Sequence, residues 1–375
     1  DAALVDAAGR GDGTATLSLF ERWFRPALAA AEEVIGHRPR ATQVVTDAFQ
    51  VCLGGLAELD DPDMRELAEE DDAIVLLGGS AAQYVLAAPR VVATPVAGCA
   101  GAPEYVASAS VPQSVNVGRI TRNFTVRLPA GYTQGRPTPL IIAYHGRGEA
   151  ALFFERYTQL SRLPAILVYP QAMRSTSGPR SWQGAPYSDP KADDIGFTRE
   201  IIRTVRANAC VDNGRIFAVG RSNGGGLANL LACQLPGQFA AIAMVSGAFY
   251  PQANQGCAQA RPVSRIEFHG TEDRIVPYWG LQKFGSVLPP IPDEVGGWAR
   301  RAGCAPPIES RIANATTRID WLACQPGVMV SHVRIEGGTH LWPGSGTTPL
   351  RPSNHVNATA LIWQFFQLAR PGLTG

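Results

Sequence analysis

The pentapeptide Gly220-Arg221-Ser222-Asn223-Gly224 sets a serine between two glycines, directly after the apolar run 215–219 and directly before the helix-forming stretch 225–235. A serine on so sharp a strand-to-helix turn has its hydroxyl lifted above a sheet at a helix N-terminus, the position of a nucleophile in acyl transfer. Glycine is needed at 220 and 224 because the turn crowds its own backbone. A hydroxyl attacks only when a base takes its proton, and on this kind of turn the partners follow in the chain order serine, acid, histidine. The run 265–268 reads as a strand and is followed by His269-Gly270-Thr271-Glu272-Asp273, so Asp273 is the expected acid, with Glu272 as the alternative. Of the six histidines, His37, His145 and His269 precede Asp273, His332 falls within a strand pattern, and His355 stands at the entry of the last helix. His340, in the glycine-rich loop 337–344, is the expected base. The oxyanion of a tetrahedral intermediate needs two preorganised donors. The backbone N–H of Asn223 and that of Arg147, in the loop His145-Gly146-Arg147-Gly148, are the expected pair, with His145 as a structural group of its turn.

These groups need a rigid frame. Apolar runs at 140–144, 165–169, 216–219, 241–245, 265–268 and 330–335 read as buried strands bounded by Gly or Pro, and 120–128 alternates like an antiparallel strand. Helical patterns lie at 198–209, 225–235 and 358–368. Strands alternating with helices imply an α/β fold with a mostly parallel sheet covered on both faces.

The chain has 375 residues, 45% of them hydrophobic, too many for one small domain and too apolar for disorder. Its formal net charge of +1 conceals an asymmetry: residues 1–95 hold 16 acidic and 7 basic residues, net −9, and the remainder is net +10. This supports a domain boundary there and gives no sign of a nucleic-acid partner. Residues 14–58 carry a helical rhythm and 58–72 an acidic run, so 1–72 reads as a small all-α segment and 73–98 as a linker. The uncharged stretch 73–89 contains Gly78 and Gly79 and is short for a membrane span, so no membrane insertion is expected.

Six of the seven cysteines fall in 99–375, without CxxC or Cys/His ligand spacing, which fits disulfides in an exported protein and no metal site. Cys304 with Cys324 and Cys233 with Cys257 would close short loops, leaving Cys99 for Cys210. Val96-Ala97-Gly98-Cys99 has the form of a lipoprotein cleavage box, but the residues before it are acidic where a signal peptide is basic, and a disulfide is the preferred role for Cys99. Asn123, Asn314 and Asn357 each begin an N-x-S/T sequon. No cofactor is implied, since serine, acid and histidine supply nucleophile and base themselves. The sequence sets no oligomeric state.

Four blocks in order, Tyr144-His145-Gly146, Gly220-Arg221-Ser222-Asn223-Gly224-Gly225, His269-Gly270-Thr271-Glu272-Asp273 with Val276-Pro277-Tyr278, and Gly337-Gly338-Thr339-His340-Leu341-Trp342-Pro343-Gly344, resemble the secreted feruloyl esterase and polyhydroxybutyrate depolymerase group of carbohydrate esterase family 1. The likeness runs over about 99–368, includes Asp193-Asp194-Ile195-Gly196-Phe197, and is greatest to feruloyl esterases of fungal type C. It implies an α/β-hydrolase fold and a secreted serine esterase that releases hydroxycinnamic acids from feruloylated plant cell-wall polysaccharide. A polyhydroxybutyrate ester or acetylated xylan would be the alternative substrate of the same triad. Trp182 and Trp342 are candidates to flank an aromatic acyl group, and Asp194 is a candidate either to bind sugar hydroxyls or to cap the helix starting near 198. The sequence departs from the family at Arg221, where an apolar residue is more common, at Thr339, where glycine is, and at Arg147 and Glu149. These departures bear on substrate preference.

Over about 55 residues the N-terminal segment is similar to the second conserved region of extracytoplasmic-function sigma factors, through Leu4-Val5-Asp6-Ala7-Ala8, Leu19-Phe20-Glu21-Arg22 and Val45-Thr46-Asp47-Ala48-Phe49. The net charge of −9 over residues 1–95 argues against a promoter-binding face. A further reading, an inactive hydrolase joined to a transcription-related binding module, is opposed by the intact Ser222, Asp273 and His340.

Overall fold

The computed structural model describes residues 97–100, 105–174, 178–345 and 356–369. All of them belong to the second of two units into which the chain divides, Arg90–Gly375. The expected helical segment 1–72, most of the linker and His355 lie outside the described residues.

The sequence pattern of short, wholly apolar runs becomes the centre of a ten-stranded sheet. In chain order the strands are β1 (Ser110–Val117), β2 (Ile120–Arg127), β3 (Thr138–Tyr144), β4 (Ile166–Pro170), β5 (Val211–Arg221), β6 (Ala241–Val245), β7 (Ser264–Gly270), the small hairpin β8 (Leu281–Lys283) and β9 (Ser286–Leu288), then β10 (Pro307–Ala313), β11 (Thr316–Trp321) and β12 (Val330–Ile335). The order across the large sheet is β1-β2-β4-β3-β5-β6-β7-β12-β11-β10. The strands β4, β3, β5, β6, β7 and β12 run parallel, and antiparallel pairs close both edges. Every residue of β3, β4, β6 and β7 is buried, as expected when helices cover both faces. The helices are α1 (Ala151–Thr158), α2 (Asp194–Asn208), α3 (Asn223–Gln234), α4 (Ile291–Arg301) and α5 (Ala358–Leu368). This is the α/β-hydrolase fold.

Two helices begin earlier than their apolar periodicity suggests, for local reasons. Helix α2 starts at Asp194 rather than near 198 because the Asp193 carboxylate accepts from the Gly196 N–H at 2.7 Å. Helix α3 starts at Asn223 because the chain turns straight out of β5. Helix α4 has no clear sequence signal, since Gly296 and Gly297 interrupt it, yet it buries Ile291, Val295, Trp298 and Ala299. The hairpin β10–β11 is half exposed and polar, which hides it from a search for apolar runs.

The three expected disulfides are present: Cys99–Cys210, Cys233–Cys257 and Cys304–Cys324. With its sulfur so engaged, Cys99 has no thiol left for a lipid thioether. Among the described residues, no helix is long and apolar enough to cross a membrane.

Candidate active site

Ser222 sits between β5 and α3 with φ +55° and ψ −121°, a left-handed conformation that costs a non-glycine residue about 1–3 kcal/mol. The surroundings enforce it: the Ser222 N–H donates to Val245 O at 3.0 Å, and its carbonyl accepts from Gly226 N at 3.1 Å and Ala248 N at 2.9 Å. The two glycines let neighbouring backbone pass closely. A Cβ on Gly220 would lie 2.5 Å from Gly225 N, and one on Gly224 would lie 2.5 Å from His145 O.

Asp273 and His340 come from the loops that follow β7 and β12, two parallel neighbours, and the loops are laced together. The Thr271 N–H donates to Ile335 O at 2.9 Å, the Glu272 N–H to Gly338 O at 2.9 Å, and the Gly337 N–H to Thr271 Oγ1 at 2.9 Å. Asp273 Oδ1 accepts from the Ile275 and Val276 N–H groups at 2.8 and 2.9 Å, leaving Oδ2 to meet His340 Nδ1 at 2.7 Å. Glu272, the alternative acid, makes no such contact with His340. Ser222, His340, Arg147, Gly146, Arg221 and Ile275 line one cleft of about 240 Å³. Burial pulls His340 below the ordinary histidine value, the Asp273 carboxylate opposes this, and Arg221 and His269 add to the lowering. Asp273 is held below the usual carboxylate range: burial works against this, but hydrogen bonds from His269 and His340 outweigh it.

His145 is structural, as expected. Its Nδ1 meets Gly146 O at 2.7 Å, and its Nε2 lies 2.8 Å from Gln171 Nε2 and 3.2 Å from the Ala172 N–H, both donors. The ring is therefore the Nδ1–H tautomer. Burial, with Arg180 in support and the Gly146 carbonyl opposing, lowers it to about 4, so it stays neutral. Its bond fixes the Gly146–Arg147 peptide plane, and across a trans peptide the Arg147 N–H points away from the tethered carbonyl. Neither the Arg147 nor the Asn223 backbone N–H donates to another group among the described residues.

Three residues expected at the substrate stand elsewhere. Trp182 is fully buried, its Nε1–H donates to His145 O at 2.7 Å, and its backbone exchanges hydrogen bonds with the Asn223 side chain at 2.6 and 3.1 Å. It braces the loop at 145–147 against the serine turn and does not face an acyl group. Trp342 is also buried, packed edge-on against Phe154, with its N–H groups bonded to Tyr157 and Thr359. It anchors the His340 loop to α1 and α5. Asp194 neither meets solvent nor caps α2, since Asp193 does that. It is buried against Arg122 at 2.6 Å and accepts from the Gln183 N–H at 2.7 Å.

The structure gives partners to residues whose roles the motifs leave unstated. Arg221 pairs with Glu149, and its guanidinium also donates to His340 O at 2.6 Å, tying the loop after β3 to the His340 loop. Glu149 in turn accepts from the Gly146 N–H at 2.8 Å. Behind Asp273, β7 directs Arg265, Glu267 and His269 to one face, all with side chains buried to the last percent. The available signal was three ionisable residues at alternate positions in a strand whose neighbours are apolar.

Residues 122–268 match the family model described as Esterase PHB depolymerase. Feruloyl esterase B of Piromyces equi is 31% identical over 58% of this chain and 42% of its own, so the chain spans less than half of that relative. Feruloyl esterase D of Neurospora crassa is 28% identical over 73% of this chain and 90% of its own. Among solved structures, an acetyl xylan esterase from Aspergillus awamori covers 69% of this chain and 99% of its own, with 16% identity and a TM-score of 0.47. Residues 122–268 of the α/β-hydrolase domain are thus similar to the esterases of that family model, and feruloyl esterases are among the relatives of this chain.

Proposed function

We propose that the protein hydrolyses carboxylic esters through Ser222, His340 and Asp273, with the backbone N–H groups of Asn223 and Arg147 as the oxyanion hole. The observation that carries this reading is the strained Ser222 turn opening into the same cleft as His340, whose Nδ1 is fixed by Asp273. With Nδ1–H donating to Asp273, His340 Nε2 carries the lone pair and takes the Ser222 proton as Oγ attacks the ester carbonyl. The carbonyl oxygen becomes an oxyanion held by the two N–H groups. Collapse breaks the bond to the alcohol, which leaves with the proton from His340, and the acyl group stays on Ser222. Water, deprotonated by His340, then attacks the acyl-serine, and the acid departs as Ser222 regains its proton. Losing Ser222 or His340 is expected to cost on the order of 10⁶ in kcat.

For the substrate we propose esters of hydroxycinnamic acids on plant cell-wall polysaccharide, supported by the feruloyl esterases among the relatives. An aliphatic polyester is the second reading, favoured by the family description of residues 122–268. The three disulfides support an oxidising, extracellular setting. The test is the initial rate on methyl ferulate beside an aliphatic hydroxybutyrate ester, with Ser222→Ala as the control. Turnover of ferulate that disappears in Ser222→Ala supports the first reading, and turnover of the aliphatic ester alone supports the second. No turnover of either by folded, disulfide-intact protein would overturn the esterase reading.

A further inference from the structure

His269 lies beneath Asp273 with no exposed side-chain surface. Its Nδ1 is 2.8 Å from Glu267 Oε1, and its Nε2 is 2.8 Å from the Val276 carbonyl oxygen and 3.4 Å from Asp273 Oδ2. All three are acceptors. A neutral imidazole has one N–H and one lone pair, so it would have to aim that lone pair at a carboxylate or a carbonyl oxygen. With Glu267 ionised, only a ring protonated on both nitrogens satisfies both sides. Its charge is matched, since Glu267 stands on one side and Asp273 on the other.

The other groups facing this centre do not supply an alternative. On β12, His332 directs Nδ1 at Glu267, 3.2 Å from its carbonyl oxygen and 2.9 Å from Oε2, and meets the Tyr278 hydroxyl with Nε2 at 3.0 Å. Tyr278 offers His269 a ring edge at 6.0 Å between centroids. Arg334, the cross-strand partner of His269 on β12, turns to Glu309 and Glu336. His340 lies on the far side of Asp273, and Arg221, at the end of β5, pairs with Glu149.

We infer that His269 is a permanent imidazolium and acts as a positioning residue: it holds Asp273 ionised and aligned while sharing its negative charge, so that His340 stays unprotonated to lower pH than Asp273 alone would allow. Burial by itself pulls the His269 ring down, but Glu267 and then Asp273 outweigh it, and the ring is pushed up to about 10. Burial likewise opposes ionisation of Glu267, and His269 with His332 brings that carboxyl down to about 2. The catalytic consequence rests on the proposed roles of Asp273 and His340, whereas the charge on His269 does not.

Two measurements separate these parts. Nitrogen NMR of the imidazole rings at about pH 8.5, where ordinary histidines are neutral, should show one ring protonated on both nitrogens, absent in His269→Gln. A spectrum holding only neutral rings overturns the proposal, whether or not any ester is hydrolysed. The second measurement is the pH profile of kcat/KM for the double variant Glu267→Gln/His269→Gln, which replaces the ion pair by two amides and leaves the buried net charge unchanged. Its acid limb should move to higher pH by about one unit, because His340 loses a nearby positive charge. A folded double variant whose rate falls while its acid limb stays in place overturns the positioning role. If neither variant folds, the persistence or absence of the doubly protonated ring in the unaltered protein decides the proposal.

Discussion

Substituting Gly224 by alanine tests how the site is assembled. A Cβ there would stand 2.5 Å from His145 O and 2.7 Å from Tyr144 C, while unstrained contacts to carbon lie near about 3.5 Å. The first turn of α3 and the loop after β3 must therefore move apart by about 1 Å. That contact separates the two proposed oxyanion donors, with Asn223 N–H on the helix side and Arg147 N–H on the loop side. Misplacing reacting groups by about 1 Å costs on the order of 10²-fold, and losing one oxyanion donor costs about 10²–10³ in kcat. Gly224→Ala should therefore lower kcat on a nitrophenyl ester by about 10²–10³ with little change in KM, because the donors act on the charge that develops after binding. Overpacking should also cost about 1–3 kcal/mol in urea unfolding. Gly237→Ala is the matched control: at φ +76° with no heavy atom within 4 Å of an added Cβ, it should lose stability and keep its kcat. Folded Gly224→Ala protein with kcat within about threefold of the unaltered protein would show that the donors are not set by this contact.

Three more expectations follow from the geometry. With His340 lowered by burial, the acid limb of kcat/KM should fall below the ordinary histidine value of about 6.5, and Asp273→Asn, which removes the anion that opposes this lowering, should move it lower still while reducing kcat by about 10⁴. The disulfides should rank by loop length: pairwise replacement by serine is expected to cost about 4.8 kcal/mol for Cys99–Cys210, closing a 111-residue separation, against about 3.5 and 3.3 for separations of 24 and 20, as read by urea unfolding. Asp193→Ala should cost about 1 kcal/mol as a lost helix cap, whereas Asp194→Asn, which leaves the buried Arg122 guanidinium without its counter-ion, should cost about 3–5 kcal/mol; equal losses in thermal unfolding would contradict this division of roles.

The proposed nucleophile, acid and base could be picked out because each belongs to a short segment whose own residues fix its geometry: a glycine-flanked turn for Ser222, and loops at the ends of apolar strands for Asp273 and His340. The central strands were legible for the same reason, since burial on both faces leaves an unbroken apolar run. The supporting residues were not, because their roles come from partners distant in sequence. Trp182 and Trp342 have the size and chemistry of ligand-facing aromatics, and only the contacts with His145, Asn223, Tyr157 and Thr359 show them to be braces. Asp193 and Asp194 are adjacent and chemically alike, and the direction in which each leaves the start of α2 separates a cap from a buried ion pair. His269 precedes Asp273 and so falls outside the expected chain order, which hides a histidine that works through the acid and never meets the serine.

The central claim, that Ser222 is a nucleophile activated by His340, is tested most directly by reacting the folded protein with an aryl phosphonate and mapping the adduct by peptide mass spectrometry. One adduct per chain is expected, on the peptide containing Ser222, formed far more slowly in His340→Ala and absent in Ser222→Ala. An adduct on another residue, or labelling of Ser222 at an unchanged rate without His340, would contradict it.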